Sequence, residues 1–280
     1  MGKIILVDKP KGMTSFDVCF KMRKIFGTKK IGHTGTLDPN ATGLMMVLID
    51  SAAKIDQFMS SKRKEYVAEV KIGIRTDTED IDGNIIEEKK ETLPDIETIR
   101  DAASTFLGHS IQYPPMTSAI KINGKKLYEY QREGKIVEVP PRDIEVYEIE
   151  VLGIGEDSFT FRALVSGGTY IRTLAQDILK KLGIIGTLNE LRRTAIDDFR
   201  IDEASSLEEI SQGEYRELST LEVLSHYYHV HECQRPQDII NGKPLKEDLP
   251  YEDILCTDGN RALALYHKEN GVYRCVRGLL

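Results

Sequence analysis

The stretch Gly32-His33-Thr34-Gly35-Thr36-Leu37-Asp38-Pro39-Asn40-Ala41-Thr42-Gly43 constrains the fold more than any other. It cannot be regular structure, and it runs straight into the apolar segment 44–49. Glycines at 32, 35 and 43 allow backbone angles closed to other residues, and Pro39 drives Asp38 out of the helical region. A short apolar run bounded by such a loop reads as a buried strand. A carboxylate is therefore expected on stiff, irregular backbone beside the core, where chemistry is often carried. Asp, Asn, Thr and Gly are also ordinary turn residues, so the loop alone does not identify a site. A phosphate-binding reading of 27–34, GTKKIGHT, fails. His33 stands where G-x-x-x-x-G-K-[ST] needs lysine, and that motif requires a strand before it and a helix after it.

Around this loop the pattern alternates strands and helices without strict βαβ order, which predicts an α+β fold with a central, mixed but largely antiparallel sheet flanked by helices. Residues 3–7 predict a strand, and Ser15 caps a helix that Gly27 ends. Phe16, Phe20 and the Val18, Met22, Ile25 series fall at helical spacing along it. A short helix is expected over 52–59, and Tyr66, Ala68, Val70 and Ile72 alternate as one buried face of a strand over 65–73. Ile96, Ile99, Ala103 and Phe106 give an amphipathic helix ended by Gly108, and Pro114 and Pro115 keep 110–117 extended. A strand over 118–122, a tight turn at Asn123-Gly124, a short helix over 125–134 and strands over 144–152 and 159–165 follow. Gly167-Gly168-Thr169 opens a helix stopped by Gly183, and 188–199 returns to the sheet. Beyond 225 the texture changes to short strands and Asn-Gly or Asp-Gly turns, which sets a division into 1–224 and a small β-rich domain, 225–280.

Net charge is −7 with 40% hydrophobic residues, an ordinary globular composition. An acidic total argues against a nucleic-acid partner, but distribution matters more. Lys21, Arg23, Lys24, Lys29 and Lys30 lead into the loop without an acid among them. Lys62-Arg63-Lys64, Lys125-Lys126 and Arg192-Arg193 are further basic clusters, while acids gather at 77–91 and 197–222. No apolar run approaches a membrane span. The N-terminal MGKIILVDKP lacks a cleavage pattern, so no secretory signal is expected. Four cysteines without C-x-x-C pairs suggest neither disulfides nor zinc, and a cytoplasmic protein with reduced thiols is expected. His226, His229, His231 and Cys233 are metal-ligand types at a spacing that fits no standard site.

GHTGTLDPNATGLMMVLI resembles the signature of the TruB family of tRNA pseudouridine(55) synthases. DKPKGMTSFDV at 8–18, KEYVAEVKIG at 64–73, PPMTSAIKINGKKLYEYQREG at 114–134 and VSGGTYIRTLAQDI at 165–178 resemble further family blocks, in the family's order. IINGKPL and NGVYRCVRGLL resemble pieces of a PUA-type RNA-binding barrel, in a segment short for that fold. The resemblance implies the pseudouridine synthase fold, with a short PUA-like domain. It implies isomerisation of a T-loop uridine of tRNA without a cofactor, by a monomer.

That reaction breaks the N1–C1′ bond and rejoins the ring through C5, work that suits a carboxylate acting as nucleophile or base. The resemblance makes Asp38 that residue, at C1′, at C6 or at the 2′-hydrogen. Arg172, in the first turn of a helix, faces the positive end of the dipole and is expected to pair with an anion. That anion is Asp38, which the resemblance favours, or a substrate phosphate. Tyr66 packs in the core by default, whereas the resemblance has it stack on the uracil and handle the C5 proton. His33, by resemblance, fills the gap left by the everted base. Lys9 and Leu191 match family positions at and near the pocket floor, and Lys64 and Tyr170 join the RNA-binding set. A non-catalytic RNA-binding or chaperone protein is the rival reading, disfavoured by the intact Asp38, Tyr66 and Arg172 set.

Overall fold

The computed structural model describes residues 2–59, 63–118, 120–135 and 137–280. The chain divides into two compact units, Met1–Ser61 with Asp198–Leu280, and Lys62–Asp197. The class is the expected α+β, sheet-rich with few helices. Among the described residues no helix is long and apolar enough to cross a membrane.

In the first unit the strand Lys3–Lys9 pairs antiparallel with Thr42–Ile49 from Lys3 opposite Ile49 to Lys9 opposite Gly43. Glu217–Leu218 adds to the outer edge of Lys3–Lys9, and Ile31–His33 pairs with Thr42–Ile49. The helix Ser15–Phe26 packs Val18 and Met22 onto Ile5, Val7, Met45 and Val47. Each such side chain contributes about 1.5–3 kcal/mol by leaving water. Its N-cap is Thr14, one residue before the expected Ser15. Thr14 accepts from the Asp17 N–H, and the Asp17 carboxylate accepts from the Thr14 N–H. Gly27 ends the helix at φ 63°, an angle that suits glycine. Over 52–59 the expected helix is instead two 3₁₀ turns, Asp50–Lys54 and Asp56–Phe58. So short a segment does not nucleate an α-helix by itself.

A four-stranded sheet closes the chain, ordered His229–Glu232, Asp253–Thr257, Ala262–Glu269, Val272–Gly278. The first pair is parallel and the others antiparallel. Asn270 (φ 50°) and Gly271 (φ 78°) form the last hairpin turn, as an Asn-Gly pair predicts. Ile254, Cys256, Tyr266 and Tyr273 fill the core of this sheet.

The second unit is an antiparallel sheet ordered Gly186–Ile196, Lys64–Ile72, Ser158–Val165, Arg142–Ile154, Gly108–Gln112. Tyr66, Ala68, Val70 and Ile72 are its buried alternate positions, as their spacing predicts. The helices Ile96–Ser104 and Ile171–Leu182 pack on it through Ile99, Leu174 and Ile178. Asn123 (φ 51°) and Gly124 (φ 81°) turn a small hairpin of Lys121–Ile122 and Lys125–Lys126. The strand expected over 118–122 thus shortens to two residues, with Ala119 outside the described set. The helix that follows, Leu127–Arg132, lies inside the expected 125–134.

Candidate active site

Asp38 is held through both of its neighbours. On one side the buried Ser15 hydroxyl accepts from the Leu37 N–H at 2.8 Å and donates to the Leu37 carbonyl at 3.1 Å. It is available for this because Thr14, not Ser15, caps the helix. On the other side the Pro39 carbonyl accepts from the Gly12 N–H at 2.9 Å and from Lys9 Nζ at 3.2 Å. Lys9 is fully buried, and its ammonium also donates to the carbonyls of Pro10 (3.0 Å) and Met13 (2.6 Å). The family resemblance put Lys9 at the pocket floor. Its observed contacts tie the 9–13 turn to the peptide that follows Asp38. The loop closes with the Ala41 N–H on the Asp38 carbonyl at 3.1 Å. His33, at the end of its strand, accepts the Gly35 N–H on Nδ1 at 3.3 Å. Thr34 is a residue the sequence did not single out: its buried hydroxyl has no hydrogen-bond partner among the described residues.

In the second unit Tyr66 lies opposite Arg193, and Ala68 opposite Leu191, on the paired strands Lys64–Ile72 and Gly186–Ile196. Residues opposite or two apart share a sheet face, so Tyr66, Leu191 and Arg193 come together. Arg193, read from sequence as half of a basic cluster, is fully buried. Lys64 is half-buried at the start of Tyr66's strand. Of the basic run 62–64, Lys62 lies outside the described residues.

Arg172 occupies the first turn of Ile171–Leu182 and is buried. Nη1 donates to the Thr78 carbonyl at 2.8 Å and to the Thr117 hydroxyl, and Nη2 to the Thr117 carbonyl at 3.3 Å. Within its own unit it has an anion, the Asp80 carboxylate, 3.6 Å from Nη1. From the sequence Asp80 is only one of the acids gathered at 77–91. The Thr-Asp-Thr-Glu-Asp run is instead a folded turn, in which the Thr76 hydroxyl donates to the Asp80 carbonyl (2.7 Å) and the Thr78 hydroxyl to its carboxylate (2.6 Å). The density of Asx and Thr turn formers there was the signal. Beside it Glu79 sits at φ 66° and accepts from the Thr173 hydroxyl at 3.4 Å. Burial pushes its carboxyl above the usual range, against the pull of Arg172. Tyr170 precedes the helix. Its N–H donates to Gln112 Oε1 (2.7 Å) and its carbonyl accepts from Gln112 Nε2 (3.0 Å), so a buried amide fixes the helix entrance.

The 121–135 segment joins cations to aromatic rings: Lys126 lies 5.3 Å and Arg132 5.4 Å from the Tyr128 ring, and Lys125 4.9 Å from Tyr130. Elsewhere, His226 bonds Asp198 (2.9 Å), His229 stacks on Tyr251 (3.8 Å) and His231 pairs with Glu247 (3.0 Å). The Cys233 thiol donates to the His231 carbonyl at 3.6 Å. Among the described residues no three His, Cys, Asp or Glu side chains are grouped to hold a metal ion.

The sequence model described as TruB family pseudouridylate synthase (N terminal domain) matches residues 23–171. The tRNA pseudouridine synthase B of Bacillus anthracis is 41% identical over 283 residues, spanning 95% of this chain and 92% of that protein. The chain belongs to the TruB family. The TruB family protein of the same description from Oenococcus oeni is 39% identical over 97% of this chain and 95% of its own length. That from Bacillus pumilus is 49% identical over 74% and 69%. Family membership makes the chain a pseudouridine synthase, an isomerase. Among solved structures, a Cbf5-Nop10-Gar1 complex matches with a TM-score of 0.76 at 23% identity, over 99% of this chain and 85% of that one. An archaeal box H/ACA sRNP Nop10-Cbf5 complex matches at 0.73 and 20%, over 99% and 86%. These likenesses show the fold that the TruB resemblance implied.

Proposed function

We propose that this chain converts uridine to pseudouridine at position 55, in the T-loop of tRNA, with Asp38 as the reactive group. The observation that carries the reading is the double hold on Asp38, at Leu37 by Ser15 and at Pro39 by Lys9 and Gly12. A carboxylate on backbone fixed at both flanking residues contributes through orientation, which a side chain on an untethered loop does not. The curated TruB relatives named for tRNA supply the substrate class.

The N1–C1′ bond breaks, the ring turns, C5 bonds to C1′, and the proton on C5 departs as N1 gains one. Asp38 acts as nucleophile or base on the everted nucleotide, at C1′, at C6 or at the 2′-hydrogen. Tyr66 stacks on the uracil and relays the C5 proton, and Arg172 orients the anion it faces. His33 fills the vacated stack, Leu191, Lys64 and Tyr170 line the bound RNA, and Lys9, buried beneath the Asp38 loop, supports it from within the protein. No step needs a cofactor. The chain works as a cytoplasmic monomer, with 1–224 catalytic and 225–280 a short PUA-like RNA-binding module. Recognition rests on the folded shape of the T-arm and on stacking with its exposed bases.

Tritium release from 5-tritiated uridine in a tRNA transcript tests this. Wild type releases tritium. Asp38→Asn does not, yet binds T-arm RNA within about tenfold of wild type, because an aspartate contributes little to phosphate affinity. Normal turnover by the variant overturns the reading.

A further inference from the structure

One face of Ser15–Phe26 is turned to solvent among the described residues. The helix buries Ser15, Val18, Cys19 and Met22, and turns Phe16 (62% exposed) and Phe20 (48% exposed) to solvent. Helical spacing does not by itself say which of two apolar stripes is buried, and here the phenylalanines are outside. Each ring carries a cation from further along the helix: the Arg23 guanidinium, two turns on, is 5.4 Å from the Phe16 centroid, and Lys24 Nζ, one turn on, is 4.7 Å from Phe20. Arg23 Nε is buried without a hydrogen-bond partner among the described residues.

The acids beside the helix are hydrogen-bonded elsewhere. The Asp17 carboxylate accepts from Thr14 in the capping box, and Asp50 accepts the Thr28 hydroxyl at 2.6 Å. Among the described residues Lys21, Arg23, Lys24, Lys29 and Lys30 form no ion pair. Asp17 faces Lys21 one turn on, but five cations without a direct ion pair among the described residues, on a chain of net charge −7, still favour an anionic partner. Two exposed rings among those cations are the stacking-plus-charge combination that single-stranded nucleic acid uses. A twofold contact with a second copy would set this strip against itself, cation on cation.

Position points the same way. Ser15 at the helix start is bonded to Leu37, next to Asp38. Twelve residues then carry the face roughly 18 Å away from that loop, enough to follow several nucleotides of a strand.

We propose that the outward face of Ser15–Phe26 is a second RNA-contact surface, with Arg23, Lys24 and Lys21 on phosphates and Phe16 and Phe20 under an unpaired base. This rests on the tRNA reading above and deepens it. The experiment measures T-arm RNA affinity against salt, with turnover, for the full chain carrying Arg23→Gln/Lys24→Gln or Phe16→Ser/Phe20→Ser. All four positions are at least partly exposed, and thermal melts check folding. The charge pair should weaken binding about tenfold at low salt and lower the salt slope by roughly two. The aromatic pair should weaken binding about fivefold or more with the slope unchanged, and Phe16→Tyr/Phe20→Tyr should restore it. In both, the loss falls on KM rather than kcat. Affinity and slope within twofold of wild type in both variants overturn the proposal. So does sedimentation showing a wild-type dimer that the variants lose. A wild type that releases no tritium sinks the catalytic reading instead, which separates the two failures.

Discussion

The Ser15 hydroxyl engages both polar backbone atoms of Leu37, twenty-two positions along the chain, at 2.8 and 3.1 Å. Ser15→Ala strands a buried N–H and a buried carbonyl beside Asp38. Stability should fall by about 2 kcal/mol, the cost of unmet buried polar groups. Because the lost contact holds the residue next to Asp38, the proposed reactive group, kcat should fall further than RNA affinity. Thermal melts and single-turnover assays on one preparation check both. Ser15→Thr, which keeps the hydroxyl, should recover part of the rate.

Lys9 serves the same loop from below. Lys9→Met preserves most of the volume but removes the donor from three carbonyls, those of Pro10, Met13 and Pro39. Hydrogen bonds to charged groups are worth about 1.5–3 kcal/mol, so a loss of roughly 3 kcal/mol is expected by urea titration. Lys9→Arg should not rescue, since a planar guanidinium cannot meet three carbonyls arranged around a point charge.

Glu79 gives a pH-dependent outcome. Its carboxyl is raised by burial, so folding favours the protonated form. The stability it contributes is full below the ordinary glutamate range and is lost as pH rises through the folded-state value. Glu79→Gln can keep the bond from Thr173 without the burial cost of a charge. The variant should therefore melt above wild type at pH 7 and level with it near pH 4. Equal melting temperatures at both pH values would remove the assignment.

Much of this was legible beforehand. The buried face of Lys64–Ile72, the Gly27 and Gly183 helix stops and the Asn123-Gly124 and Asn270-Gly271 turns follow from periodicity and backbone permission. What escaped was set by long-range contact. Thr14 and Ser15 are both good caps, and only the meeting with Leu37 decides which one caps and which one reaches across. Phe16 and Phe20 share a helix with Val18 and Met22, and the sheet chooses the latter pair. Arg193 sits beside Arg192 in sequence, but strand alternation sends it to the opposite face. Asp80 reaches Arg172 across ninety-two positions, a distance over which local pattern carries no information.

Ser15 on Leu37 and Gln112 on Tyr170 are the same device used twice: an uncharged, buried side chain spanning both hydrogen-bonding atoms of one peptide residue just ahead of a proposed site residue. Counterions do not weaken neutral contacts shielded from water. Added salt should therefore alter how often an RNA is captured, while the backbone ahead of Asp38 and that ahead of Arg172 each keep their own local geometry.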